Sequence, residues 1–404
     1  MTTCDIGRPS DTSRSEPRPW RMWSAAWVVT AVFVLSNPAT PLYVYWQRTI
    51  GFSSGTLSVI FAAYILGLLA TLSLAGQLSD RYGRRPVLMP GLAAAMLACV
   101  LFATATTVGA LLVARFLSGV AVGAVVSAGM ASVVDQGGPN RRRLASLIAS
   151  VAMVLGAGLG PLFAGSVAVQ LAEPVVLIFT TELIVLACTG LLVLALPQKR
   201  LDRNPGDGWR LRVPSVPHAN RRQVAFGVAI FGPGITATSF VLSLGPSLLS
   251  KLLHVTSPLV AGGTACAMFL TATGVQFALR RLPIRTIMLI GAAATVMSMI
   301  SIAIAVDASL AGLLILAALL AGAGQGLGQL GGLSLIGLHV PAERRAEANA
   351  VMNFGGYILA GLLPVLMGYL IDFAGLATGA AIFAAALGLV AAAGAWFVQI
   401  HLRE

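Results

Sequence analysis

Apolar residues come in long runs, with polar and charged residues gathered in short stretches between them. Met22–Tyr45, Leu57–Ala75, Val87–Thr107, Val175–Leu196 and Leu376–Val398 are examples. A helix needs about 20 apolar residues to cross a ~30 Å hydrocarbon layer. The pattern predicts twelve such spans, at roughly 23–46, 55–75, 87–107, 109–134, 143–169, 175–197, 223–249, 257–279, 284–306, 309–337, 347–371 and 375–400. A soluble core could hide one or two of these, but not twelve in succession. The chain therefore reads as an all-α membrane protein with twelve transmembrane helices. The longest break, rich in Arg, Pro and Gly, divides it near the midpoint. The predicted organisation is a cytoplasmic tail over 1–22, a six-helix bundle over 23–197, a cytoplasmic linker over 198–222 and a second six-helix bundle over 223–404.

Composition agrees: 57% of the 404 residues are hydrophobic and only 10% are charged. The net charge of +12 would suit a nucleic-acid partner; the placement of the charges argues against one. With a cytoplasmic N-terminus, 23 of the 26 cations fall in inside segments. Only Arg48 and Lys251 lie in outside loops, and Arg115 alone lies within a span. That asymmetry is the positive-inside signal of a multi-pass protein of the cell (inner or plasma) membrane with both termini cytoplasmic. No short apolar segment with a small-residue cleavage site opens the chain, so no signal peptide is predicted. The four cysteines (Cys4, Cys99, Cys188, Cys266) show neither pairing nor metal spacing and read as small packing residues.

The two halves resemble each other. A shift of about 203 residues lays Gly119 and Gly123 on Gly322 and Gly326, and Pro161 and Gly165 on Pro364 and Gly368. With one residue of slippage, PNRRR at 139–143 falls on PAERR at 341–345, and Pro41 lies near Pro246. Two repeated bundles with a binding site between them is how many secondary transporters are built.

Residues 76–88, GQLSDRYGRRPVL, concentrate one acid and three arginines between the second and third spans. Glycines at 76 and 83 allow close packing and a sharp turn at a helix end. Asp80 has neutralising cations within a few residues, which makes a place near the headgroups tolerable. With twelve spans in two halves around it, this stretch resembles the loop signature of the major facilitator superfamily through Gly76, Leu78, Ser79, Asp80, Arg81, Gly83, Arg84 and Arg85. The resemblance covers nearly the whole chain and implies that family's fold, two pseudo-symmetric six-helix halves. It further implies that Asp80 pairs with Arg84 and with the N-terminus of the eleventh helix, latching the halves in the outward-open state, and that Asp135 joins this network. The second half keeps arginines in its matching loop, FALRRLPIR, but has no aspartate, so the latch is expected on one side only.

GAGLGPLFAG at 156–165 resembles the family's antiporter motif through Gly156, Gly160, Pro161 and Gly165, with Ala164 replacing a glycine. Gly156 and Gly160 offer a smooth stripe for close helix approach, and Pro161 removes a backbone donor. Arg115, about 10 Å inside the outer boundary at 1.5 Å per residue, resembles the family's fourth-helix arginine through Gly119 and Gly123. Its repeat mate is Ala318. Glu182 is the one carboxylate deep in a span; it is expected either to pair with Arg115 or to carry a proton, with Asp80 a further titratable group on the coupling path.

Polar and aromatic residues at mid-depth on helices that line the cavity in this family are the substrate-site candidates. They are Asn37, Thr40, Tyr43, Tyr64, Arg115, Thr236, Thr238, Ser239, Ser243, Gln325, Gln329, Asn353 and Tyr357. A lone Ser or Thr can instead bond its own helix backbone. The expected function is secondary active export of small amphipathic organic molecules by proton antiport, of the drug-efflux type. The alternative is proton-coupled import of a small nutrient or metabolite. No metal, cofactor or nucleic acid is expected, protons being the coupling ion and the lipid bilayer and a small-molecule substrate the partners of a monomer. Catalysis is not expected: His218, His254, His339 and His401 sit in loops or at span ends, without HExxH, GxSxG or a P-loop.

Overall fold

Pro38 decides the shape of the first span. It has no N–H to offer and its ring clashes with the carbonyl four residues back, which is that of Val34. In the computed structural model, helix α1 (Pro19–Val34) ends at that residue. The chain turns through Leu35–Ala39, forms one 3-10 turn at Thr40–Leu42, and continues as α2 (Tyr43–Ile50). The single helix predicted over 23–46 is therefore two. Pro246, near its repeat position, stays inside an unbroken helix.

The structure describes residues 19–197, 216, 218–341 and 344–402. Most of the predicted tail and linker, Cys4, Arg403 and residues 342–343 before the eleventh span lie outside the described residues. The other helices are α3 (Ser54–Tyr82), α4 (Arg85–Ala103), α5 (Val108–Ala124), α6 (Met130–Gly137), α7 (Arg142–Gln170) and α8 (Pro174–Ala195) in the first half. The second half holds α9 (Arg221–Lys251), α10 (Pro258–Leu279), α11 (Ile284–Asp307), α12 (Ala311–His339), α13 (Arg345–Ala374) and α14 (Leu376–His401). A π turn at Val125–Gly129 joins α5 to α6, so these two form the fourth span as α1 and α2 form the first. The result is twelve spans in two six-helix halves.

Helices this apolar need a lipid environment for their outer faces. Phe373 is 92% exposed, and Trp23, Trp27, Leu338, Leu389 and Trp396 also point outward. In water such a surface would be an aggregation liability; in a bilayer it is the solvated face.

The repeat seen in the sequence has a packing reason. Gly119 and Gly123 set α5 against the backbone of α3 near Tyr64 and Leu68, and Gly322 and Gly326 set α12 against α10 at Met268 and Ala272. Lipid drives helices together weakly, so close backbone approach at small residues supplies the contact. The next repeated pair joins the halves. Gly165 on α7 lies against Pro258 and Leu259 of α10, and Gly368 on α13 lies against Ser54 and Gly55 of α3. A Cβ on Gly165 would stand 2.6 Å from the Pro258 carbonyl oxygen, and one on Gly368 would stand 2.8 Å from that of Ser54. Both seams lie toward the arginine-poor side, and both would be forced apart by any larger residue.

Candidate functional site

On the arginine-rich side, α3 ends because Gly83 adopts φ +95°, a conformation that only glycine takes up cheaply. Its N–H bonds the Ser79 carbonyl at 3.0 Å, and α4 starts two residues later. This sharp turn brings Arg84 back over the end of α3. Its Nη1 donates to Asp80 Oδ1 at 2.8 Å and to Ser79 Oγ at 2.7 Å, while Nε donates to Asp135 Oδ2 at 3.0 Å. Partial burial opposes the charged guanidinium, but the bonds to Asp135 and Asp80 outweigh it and hold the Arg84 pKa above its usual value. Arg81 lies over the Tyr82 ring, its guanidinium carbon 5.6 Å from the centroid, and Arg85 opens α4.

Two expectations for this loop differ from the structure. Asp80 bonds Arg84 and no residue of α13 among the described residues, and it is 76% exposed. The first turn of α13 is occupied by its own ion pair, Arg344 to Glu347 at 2.9 Å. Gly76 is not in tight packing either, since a Cβ placed there meets nothing within 4 Å. The close seams between the halves at Gly165 and Gly368 lie toward the arginine-poor side, away from this loop.

The break at Pro38 builds the centre of the first half. It leaves the Ser36 carbonyl outside any helical ladder, and Arg115 of α5 donates Nη1 to it at 2.7 Å. Arg115 Nε donates to Tyr43 Oη at 2.7 Å, and Nη2 donates to the same hydroxyl. The rings of Tyr43, Phe61 and Tyr64 surround the guanidinium carbon at 5.3, 5.5 and 5.6 Å, within reach of cation–π attraction. Arg115 is 0% exposed and has no carboxylate partner among the described residues.

Glu182 does not pair with it, which corrects one of the two expectations. Glu182 lies on α8, which packs against α4, with only 4% exposure. Neither of its oxygens has a hydrogen-bond partner among the described residues. A run of aromatic contacts leads from the Arg115 cage to α8: Tyr43 is 6.4 Å from Trp46, Trp46 is 6.2 Å from Phe179, and Phe179 stacks on Phe102 at 4.7 Å. Phe179 and Glu182, three residues apart, share one face of α8.

The remaining candidates divide into two groups. Tyr64 belongs to the ring cage around Arg115, and Tyr357 on α13 meets the Phe231 ring edge-on at 6.3 Å. Gln325 lies where α12 crosses α9 at Gly234, and its Oε1 is buried without a partner. Thr40 is likewise buried with its Oγ1 unpartnered among the described residues, against the gap between Val241 and Pro246 of α9. Gln329 lies one turn of α12 beyond Gln325, half-buried. Other candidates satisfy themselves locally. Thr236 bonds Gly232 O at 2.7 Å, Thr238 bonds Ile235 O at 2.9 Å, and Ser243 bonds the carbonyl of the buried Ser239 at 2.8 Å. Asn353 donates to Asn349 O at 2.9 Å and Asn37 to Ser36 Oγ at 2.9 Å. These five are spoken for in this conformation.

The GAGLGPLFAG helix works on two faces. Gly156 and Gly160 pack on Thr30, Phe33 and Val34 of α1 within the same half, whereas Gly158, Pro161 and Gly165 face Cys266, Gly262 and Pro258 of α10 in the other half. Sequence reading missed Ser36 and Phe61 around Arg115, and Gln47, whose Oε1 accepts from Ser247 Oγ across the halves at 3.1 Å. Pro38 was the available signal for the first, because a proline break frees carbonyls.

Residues 22–307 match the profile of the Major Facilitator Superfamily. Shorter stretches resemble curated relatives. A Rickettsia felis "uncharacterized transporter" is 31% identical over 122 residues, 28% of this chain and 29% of that protein. The triacylglyceride transporter of Mycolicibacterium hassiacum is 34% identical over 104 residues, 26% of this chain and 19% of that one. The multidrug resistance protein MdtL of Escherichia coli is 32% identical over 104 residues, 26% of this chain and 27% of that one. The matches thus span under a third of each relative's length. In fold, the chain resembles the nucleoside transporter NupG over 93% of its length and 98% of that chain (TM-score 0.70, 16% identity). It also resembles a bacterial homolog of the human lysosomal transporter Spinster, solved inward-facing and occupied, over 95% and 96% of the two chains (TM-score 0.69, 13% identity). Twelve spans in two repeated halves, the Asp80–Arg84 loop and the profile match lead to one assignment: this chain is a multi-pass membrane transporter belonging to the major facilitator superfamily.

Proposed function

We propose that this transporter exports small amphipathic organic molecules by proton antiport, alternating access between the two faces of the cell membrane, as a monomer with both termini cytoplasmic. The observation that carries the reading is the placement of the GAGLGPLFAG helix. Its Gly158, Pro161 and Gly165 form the α7–α10 seam between the halves, where an antiporter motif would govern how the halves move. The partial likeness to a multidrug resistance protein supports the same direction. The protein-lined centre holds Arg115, tyrosines and amides, and Arg115 has no carboxylate partner among the described residues. That environment suits a neutral or weakly anionic amphiphile and disfavours a dication, which would need carboxylates.

Everted membrane vesicles test this reading. Lipophilic dyes and drugs should accumulate inside when the vesicle lumen is made acidic, so that protons leave as cargo enters, and a protonophore should abolish the accumulation. Accumulation only in right-side-out vesicles would make the protein an importer, and accumulation insensitive to the protonophore would remove the proton coupling.

In this reading the Asp80–Arg84–Asp135 network engages the first turn of α13 when the arginine-rich side closes. Asp80→Asn should then slow turnover in proteoliposomes by about fivefold, the effect of ~1 kcal/mol lost from one state. Substrate affinity should stay unchanged, because the network lies outside the central site. Normal turnover in Asp80→Asn would remove the latch role.

A further inference from the structure

Asp372 stands in the last turn of α13 on the arginine-poor side, where its repeat mate in the first half is Val169. Its Oδ1 accepts the Ser54 N–H at 2.9 Å and its Oδ2 the Gly55 N–H at 2.8 Å. These are N–H groups that the first turn of α3 cannot bond within the helix. Ser53 Oγ takes the next one, Thr56 N–H, at 3.2 Å. The end of α3 is thus capped by its own half and by a carboxylate from the other half. A helix N-terminus carries partial positive charge and favours an anion there, and hydrogen bonds to an ionised acceptor are the stronger kind. The surroundings are built for the contact, since a Cβ on Gly55 would stand 2.7 Å from both Asp372 Oδ2 and the Tyr369 ring.

We propose that Asp372 is the latch that holds the arginine-poor side closed, and that it works in alternation with Asp80. Helices α3 and α13 run antiparallel. Asp80 lies near the end of α3 on the side where α13 begins, and Asp372 lies near the end of α13 on the side where α3 begins. Each carboxylate is placed to cap the first turn of the other helix. The two caps exclude each other, because halves that close at one end part at the other. Here the Asp372 cap is made, and Asp80 is 76% exposed with its bond to Arg84. The inference rests on alternating access between the halves, and on neither the cargo nor the direction of transport.

Spin labels on the full chain, with its native cysteines replaced, test it. Thr106→Cys and Ala308→Cys place exposed labels at the arginine-poor ends of opposite halves. Pulsed distance measurements then read whether that side is closed or open. Asp372→Ala should raise the ratio of long to short distances by about tenfold, the scale of losing charge-assisted hydrogen bonds from one of two states. Gly55→Ala, which leaves the carboxylate intact but obstructs its approach, should shift the distances the same way. Asp307→Asn, an exposed acid on the same side, should leave them unchanged. If Asp372→Ala yields no folded protein, Gly55→Ala decides. Unchanged distances in Gly55→Ala, or in a folded Asp372→Ala, overturn the proposal, as does an equal shift in Asp307→Asn. The readout needs no substrate, so failure of the export assays would leave the latch standing.

Discussion

Arg115→Ala is expected to abolish most transport. Truncation leaves the Tyr43 hydroxyl and the Ser36 carbonyl buried without their donor, and each such orphan costs about 1–3 kcal/mol. It also empties the cage of Tyr43, Phe61 and Tyr64 rings. Because Ser36 belongs to the broken turn between α1 and α2, the first span loses the tie that fixes its bend. Transport should fall about tenfold or more on the scale of one buried charge-assisted bond, even after normalising for folded protein. Arg115→Lys should recover only part, because an ammonium cannot bridge Tyr43 and Ser36 with the fork of a guanidinium. Full activity in Arg115→Ala would show that the cage is packing alone.

The second large effect is expected at Glu182, the deep carboxylate that the sequence marks as a candidate proton carrier. Its two carboxyl oxygens are buried without hydrogen-bond partners among the described residues, which is costly to keep unless the group is used. Glu182→Gln keeps the volume and removes the titration. In proteoliposomes it should abolish proton-driven accumulation while substrate binding and downhill exchange persist. Uphill accumulation by Glu182→Gln would move the carrier role to Asp80, Asp135 or the substrate itself. The Arg115–Glu182 separation sharpens the expectation: with no ion pair between them, Glu182→Gln should not reproduce the loss in Arg115→Ala.

The twelve spans, the halves and the basic side were legible because each rests on one-dimensional physics. Span length answers to bilayer thickness, charge placement to insertion, and the repeat to glycines recurring at helix crossings. The GQLSDRYGRRPVL stretch was legible for a similar reason, since Asp80 and Arg84 are one helical turn apart and Gly83 supplies the bend between them. What lay beyond reach was which distant group completes each site. Arg115 had Glu182 as its obvious partner by charge and depth, yet the break after Val34 turns a carbonyl and a tyrosine toward it instead, and the Glu182 carboxyl bonds no described residue.

Asp372 shows the division most clearly. In sequence it is a lone acid at the end of the eleventh span, and nothing in its neighbourhood marks it. Its role appears only when α13 is laid against α3, more than 300 residues earlier in the chain, with Gly55 and Gly368 letting the backbones meet. Hydrophobic length and charge are properties of a residue and its neighbours in the chain, so the sequence alone determined the number of helices, the gathering of arginine at one end of them and the repeat. Hydrogen bonds act over about 3 Å and depend on direction, so which carboxylate meets which helix end was decided by the tertiary structure.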